Sequence, residues 1–168
     1  QADLVGYWSL DEGTGNTAAD AGNNGNSGTL NGNPQWVAGK MGNALQFDGS
    51  GDYVEVTGFS GLNNVTTLSI SAWVKLTSTG TATADDSGIL NFSGNDADSV
   101  LLWYNADAQG AGNSSYSFNV GNAASNTNRV NGPQSIAVAG AWQHIVGVFS
   151  STTRKLYVDG TLRATENA

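Results

Sequence analysis

Lys155-Leu156-Tyr157-Val158-Asp159-Gly160-Thr161-Leu162-Arg163-Ala164 reads as two strands around a tight turn. Asp-Gly is among the strongest short hairpin signals, because a type I′ turn needs φ > 0 at both central positions. Val158 and Leu162 flank the turn within alternating runs. Just upstream, Ala141 to Phe149 is a further apolar-rich run that opens on Trp142, and a short polar turn joins it to the hairpin. Further back, Leu68 to Leu76 alternates strictly. Leu68, Ile70, Ala72, Val74 and Leu76 point one way; Ser69, Ser71, Trp73 and Lys75 point the other. That period predicts a strand with one buried face and one polar face carrying a single aromatic.

The same grammar continues in both directions. Strand signals fall at Leu4–Leu10, Gly28–Leu30, Trp36–Val37, Gly88–Phe92, Val100–Tyr104, Tyr116–Val120 and from Val130 towards Val138. Ala44–Phe47 and Tyr53–Val56 read as a hairpin whose loop runs from Asp48 to Asp52. Gly, Asn, Ser and Asp turns separate these runs, with no long amphipathic helix and no fixed-period repeat. Many short strands with regular turns predict an all-β fold, a sandwich or a barrel.

Composition narrows the function classes. A chain of 168 residues suits one domain, 1–168, with a core that needs no cross-links. With no cysteine, disulfide frameworks and thiolate metal sites are excluded. A net charge of −8 with only 6 Lys and Arg opposes nucleic-acid binding, which needs cations to neutralise phosphates. No run approaches the roughly 18 apolar residues of a membrane span. Gln1 is no initiator, so the expectation is a mature chain or, as the favoured reading, a piece of a larger protein.

The ordered motifs carry a resemblance. They are Tyr7-Trp8-Ser9-Leu10-Asp11-Glu12-Gly13, the Asp20–Leu30 Gly/Asn loop, and Gly42-Asn43-Ala44-Leu45-Gln46-Phe47-Asp48-Gly49 with Asp52-Tyr53-Val54. The Leu68–Val74 strand and the Leu156-Tyr157-Val158-Asp159-Gly160 hairpin complete the series. Together, from Tyr7 to Gly160, the chain resembles the laminin-G-like, concanavalin-A-like jelly-roll family. It is most similar to bacterial extracellular modules of secreted glycan-active enzymes and adhesins. The resemblance selects a two-sheet antiparallel β-sandwich and implies a bacterial cell-surface or extracellular location. It also implies further strands after the final hairpin. A cut chain, proteolysis, or supply by a complementary chain or a downstream segment would each account for their absence here.

Chemistry-bearing residues are sparse. Glycoside hydrolysis usually needs two carboxyl groups flanking the bond. Glu12, Glu55 and Glu166 stand apart, lacking the Glu-x-Asp-x-x-Glu spacing of enzymes on related sandwiches. Asp96-x-Asp98 falls in a polar turn, where Asp bonds its own backbone. His144 is the sole histidine and shares a face with Trp142, Val146 and Val148, which predicts a packed structural side chain. No catalytic residue is therefore assigned, and the chain is expected not to be an enzyme; a polysaccharide lyase or hydrolase is the least favoured reading.

Calcium takes six to eight hard oxygen donors, and Gly-rich loops turn carbonyls inward. Asp20, Asn23, Asn26, Asp48 and Asp52 are the candidate ligands; the plainer alternative is turn-forming carboxylates with no ion. The resemblance implies a structural calcium at a comparable loop. For sugar, C–H faces stack on aromatic rings while amides bond the hydroxyls. Trp73 and Trp103 are candidate platforms, with Asn91 and Asn119 beside them, whereas Trp8 and Trp142 read as core. The expected function is a non-catalytic carbohydrate-binding module, its partner a polysaccharide or other glycan. The alternative is a structural or protein-adhesive segment of a large surface adhesin.

Overall fold

The computed structural model describes residues 3–22, 24–59, 61–62, 65–79, 87–93, 99–105, 114–121 and 129–167. Among them are antiparallel β-strands and no helix, as the alternating sequence predicts. The chain divides into two compact units, Gln1–Gly61 and Leu62–Ala168.

In the first unit, β1 (Thr17–Ala18), β2 (Gly28–Asn31), β3 (Gln35–Ala38), β4 (Asn43–Gln46) and β5 (Tyr53–Glu55) make a β1-β2-β5 sheet and a separate β3–β4 pair. The hairpin expected around Asp48–Asp52 does not form. β4 pairs with β3, from Gln35 opposite Gln46 to Ala38 opposite Asn43, and β5 pairs with β2. The Gly39–Gly42 turn decides this. The Gly39 amide donates to the Gly42 carbonyl at 2.9 Å, and Gly42 has φ +57. A side chain at Gly42 would collide with the Asp11 carboxylate. Asp11 in turn clamps Asn43: its Oδ1 accepts the Asn43 amide at 2.8 Å, and Asn43 Nδ2 donates to the Asp11 carbonyl at 3.0 Å. The expected opening strand is reduced to one bridge, Trp8 opposite Asp20. Trp8 packs edge-on against Phe59 with centroids 6.1 Å apart.

The second unit contains β6 (Leu68–Lys75), β7 (Ser87–Ser93), β8 (Ser99–Asn105), β9 (Ser115–Val120), β10 (Arg129–Asn131), β11 (Trp142–Phe149), β12 (Thr153–Val158) and β13 (Thr161–Asn167). They form two four-stranded sheets, β13-β12-β11-β6 and β10-β9-β8-β7. The whole second sheet is inserted in the chain between β6 and β11. β6 alternates half-buried and exposed residues along its full length, as its sequence requires. The β12–β13 turn has Asp159 at φ 52 and Gly160 at φ 74, the I′ signature. It is tied to β11: the Asp159 amide donates to the His144 carbonyl, and the His144 amide to Asp159 Oδ1, both at 2.9 Å.

The two sheets pack face to face. Ile145, Leu156 and Val158 meet the side of the sheet that carries Val100, Leu102, Phe118 and Val130, all buried. Gly147 makes room for Phe118, since a Cβ there would lie 2.5 Å from the ring. Tyr116 Oη donates to Gln143 Oε1 at 2.9 Å. Gln143 Oε1 also accepts the Val138 amide at 2.8 Å, and its Nε2 donates to the Ile136 carbonyl at 2.9 Å. Thus Gln143, Ile145 and Gly147 face inward, and Trp142 and His144 do not. Hydrophobicity alone pointed to the opposite face. The inward face is kept for a small residue that admits Phe118 and an amide that satisfies a buried tyrosine.

Candidate functional site

Every residue of β9 is buried, on both faces. Tyr116, Phe118 and Val120 account for the inward one. Ser117 and Asn119 point the other way, yet they are only 1% and 2% exposed. Strand pairing extends that outer face across the sheet. One row runs Asn91, Leu101, Asn119, Arg129; the next runs Gly88, Trp103, Ser117, Asn131.

Ser117 Oγ donates to Asn131 Oδ1 at 2.7 Å. The Arg129 guanidinium lies over the Trp103 ring, 5.7 Å from its centroid, within the range of a cation–π contact. Trp103 is 7% exposed. Three polar atoms here are buried without a hydrogen-bond partner: Trp103 Nε1, Arg129 Nε and Asn119 Oδ1. Leaving a buried donor or acceptor unmade costs about 1–3 kcal/mol each, and native folds tolerate few. Two donors and one acceptor on adjacent rows are therefore a place where a polar ligand would gain what the fold forgoes. Arg129 is the charged residue of these two rows, and neither row contains a carboxylate.

The structure brings Trp103, Asn91 and Asn119 to one face of one sheet. Trp73 is elsewhere. It stands on the exposed face of β6 in the other sheet, 41% exposed, stacked on its cross-strand partner His144 at 5.0 Å and 30°. Arg129 was missed. A lone arginine after an Asn/Ala/Ser-rich stretch gives no pattern; only the β9–β10 register places it opposite Asn119.

The candidate calcium ligands sit in the first unit. Asp20 Oδ1 accepts the amides of Tyr7 (3.0 Å) and Gly22 (2.9 Å), and Oδ2 those of Asn24 (3.2 Å) and Asn26 (3.1 Å). A carboxylate has about four lone-pair sites, and these amides occupy them. The Tyr7 amide above all holds the Asp20 carboxyl below its ordinary range; partial desolvation opposes this, and the Asn26, Gly22 and Asn24 amides reinforce it. Asn26 Nδ2 donates to the Val5 carbonyl at 2.8 Å, and the Asn26 carbonyl accepts Trp8 Nε1 at 2.7 Å. N–H groups converging on a carboxylate are the reverse of a cation cage, so Asp20 and Asn26 as arranged do not fit calcium. Asn23 lies outside the described residues. Asp52 accepts the amides of Asn33 (2.6 Å) and Asp48 (3.1 Å), and its carboxyl is lowered, by the Asn33 amide first. Asp48 Oδ1 accepts the Ser50 amide at 2.7 Å. Among the described residues, no group of three His, Asp or Glu is placed to hold a metal. Asp96 and Asp98 lie outside them.

A family model described as the concanavalin A-like lectin/glucanases superfamily matches residues 48–168. Two solved structures have a similar fold. One is an S-layer domain-containing protein from Clostridium thermocellum ATCC 27405, 22% identical, with TM-score 0.58 over 96% of this chain and 71% of that one. The other is domain 4 of AbnA, a GH43 extracellular arabinanase from Geobacillus stearothermophilus, in complex with arabinotriose. It is 19% identical, with TM-score 0.68 over 98% of this chain and 75% of that one. No curated protein sequence matches significantly.

Proposed function

This chain belongs to the concanavalin A-like lectin/glucanases superfamily, and we propose that it is a non-catalytic, extracellular carbohydrate-binding module. The observation that carries the reading is the trio of buried, unpartnered polar atoms on the outer face of the β7–β10 sheet. Sugar hydroxyls both donate and accept, so one sugar can meet the Trp103 and Arg129 N–H groups and the Asn119 oxygen together. Among the described residues, the two rows hold no carboxylate pair of the kind glycoside hydrolysis uses. The arabinotriose bound to the arabinanase domain supports a glycan ligand. The extracellular arabinanase and the S-layer domain-containing protein support an extracellular setting. Calcium has no part in this reading: among the described residues, backbone amides occupy the Asp20 carboxylate.

Isothermal titration of the whole chain against soluble arabinan, xylan, galactan and polygalacturonate tests the reading. Trp103→Phe, which deletes only the indole N–H and some ring area, and Asn119→Leu should each weaken binding at least about tenfold, the loss of a satisfied buried hydrogen bond. Trp73→Ala should leave affinity unchanged. Wild-type affinity in both Trp103→Phe and Asn119→Leu refutes the site. The S-layer neighbour favours one other reading, a structural or adhesive surface segment. Absence of binding to every polysaccharide would select it.

A further inference from the structure

The polar atoms of the β7–β10 face are not a neutral set. Indole N–H and guanidinium only donate, so Trp103 Nε1 and Arg129 Nε call for acceptors, while Asn119 Oδ1 calls for a donor. Arg129 stands directly opposite Asn119 and holds its guanidinium above Trp103. Trp103 is in turn one diagonal step from Asn119, and diagonal neighbours across strands are about 7–8 Å apart. The three residues are thus immediate neighbours on the face. Arg129 is also a cation whose Nε is shut off from water, and among the described residues the two rows hold no carboxylate to answer it. A neutral sugar would fill the hydrogen bonds but bring no counter-charge to the half-buried Arg129, whereas a carboxylate supplies both.

We infer that the ligand is an acidic glycan: a hexuronate whose carboxylate accepts from Arg129 Nε and Trp103 Nε1 while a ring hydroxyl donates to Asn119 Oδ1. This rests on the reading of the face as a sugar site. A carboxylate is acceptor-only with two oxygens, which matches two N–H donors. Charge-assisted hydrogen bonds are about twice as strong as neutral ones. The net charge of −8 repels an acidic polymer at long range, but near 0.15 M salt the screening length is about 8 Å. Distant acidic residues are therefore muted, and the contact with Arg129 decides.

The test is titration of the whole chain with trimers of galacturonate and of mannuronate, each alongside its methyl ester, plus neutral arabinotriose. The ester keeps ring and hydroxyls, removes the charge and adds one methyl group; arabinotriose is neutral without it. The acid form of one trimer should bind at least about tenfold more tightly than its ester. Arg129→Gln should abolish that preference, and Trp103→Phe should weaken the acid more than the ester, with circular dichroism showing that both variants remain folded. If esters or arabinotriose bind as well as the acids, the acidic-ligand inference fails while the sugar site stands. A preference that survives Arg129→Gln removes Arg129 from the site and overturns the inference. If neither these trimers nor any polysaccharide binds, both readings fall.

Discussion

The Asp20 loop of the first unit and the Asn119 face of the second both look, by residue type, like places to hold a ligand. Their hydrogen bonding is opposite. Around Asp20, four backbone amides meet four lone-pair sites and nothing is left over. Around Asn119, an acceptor and two neighbouring donors are buried with no partner. The first arrangement is framework: it ties the chain at Tyr7 to the chain at Gly22, Asn24 and Asn26. The second is a surface that folding has left incomplete. Polar side chains in Gly-rich or alternating sequence are thus sorted by what already bonds them, and residue type alone does not sort them.

Breaking the framework should give the largest effect. Asp20→Ala strands four amide donors and should lower the melting temperature by on the order of 5 °C or more in differential scanning calorimetry, with glycan affinity unaltered. An unchanged melt would mean that water replaces the carboxylate at no cost and would erase the contrast. Acid acts on the same group more gradually. The Asp20 carboxyl titrates below its ordinary value in the folded chain, so the fold favours the charged form. Its contribution to stability is complete above the ordinary value and is lost as pH falls from about 4 through the folded value. Melting temperature should fall over that window, and Asp20→Asn should flatten the fall.

The other side of the comparison predicts a small effect of opposite sign. Asn119→Leu replaces a buried, unanswered acceptor with an apolar side chain of similar volume, which is neutral or stabilising by about 1 kcal/mol. The melt should stay within about 2 °C of wild type or rise, even as glycan binding is lost. A steep loss of stability would show that the Asn119 side chain is part of the framework after all. The smallest expected effect is that of calcium. Millimolar calcium against a chelator should not move the melt, whereas a rise that saturates with calcium would restore an ion to these loops.

Local pattern made much of this legible. The alternation at Leu68–Lys75 specified both the strand and its faces, and Asp159-Gly160 specified the turn that forms. Partner choice was less accessible. Asp48-Gly49 looked like a hairpin turn between β4 and β5, but each strand had a better neighbour, and the competing Gly39–Gly42 turn prevailed through Asp11. The same limit shaped the site. Side-chain parity put Trp73 on the outer face of its strand, where it stands, but for Trp103 and Tyr104 it gave only that they face opposite ways. It could not say that the two strands belong to different sheets. Arg129 needed the register of a three-residue strand, information that is long-range by nature.

The β7–β10 sheet enters the chain after Lys75 and leaves it before Trp142, while β6, β11, β12 and β13 complete their own ladder without it. One uninterrupted stretch of sequence therefore carries the outer face with Trp103, Asn119 and Arg129 as a cassette. Recombination could exchange that cassette between relatives while leaving the supporting ladder intact, provided the replacement keeps a side chain that fits over Gly147. On the proposed function, new specificity would come from a single segmental swap as well as from scattered point changes.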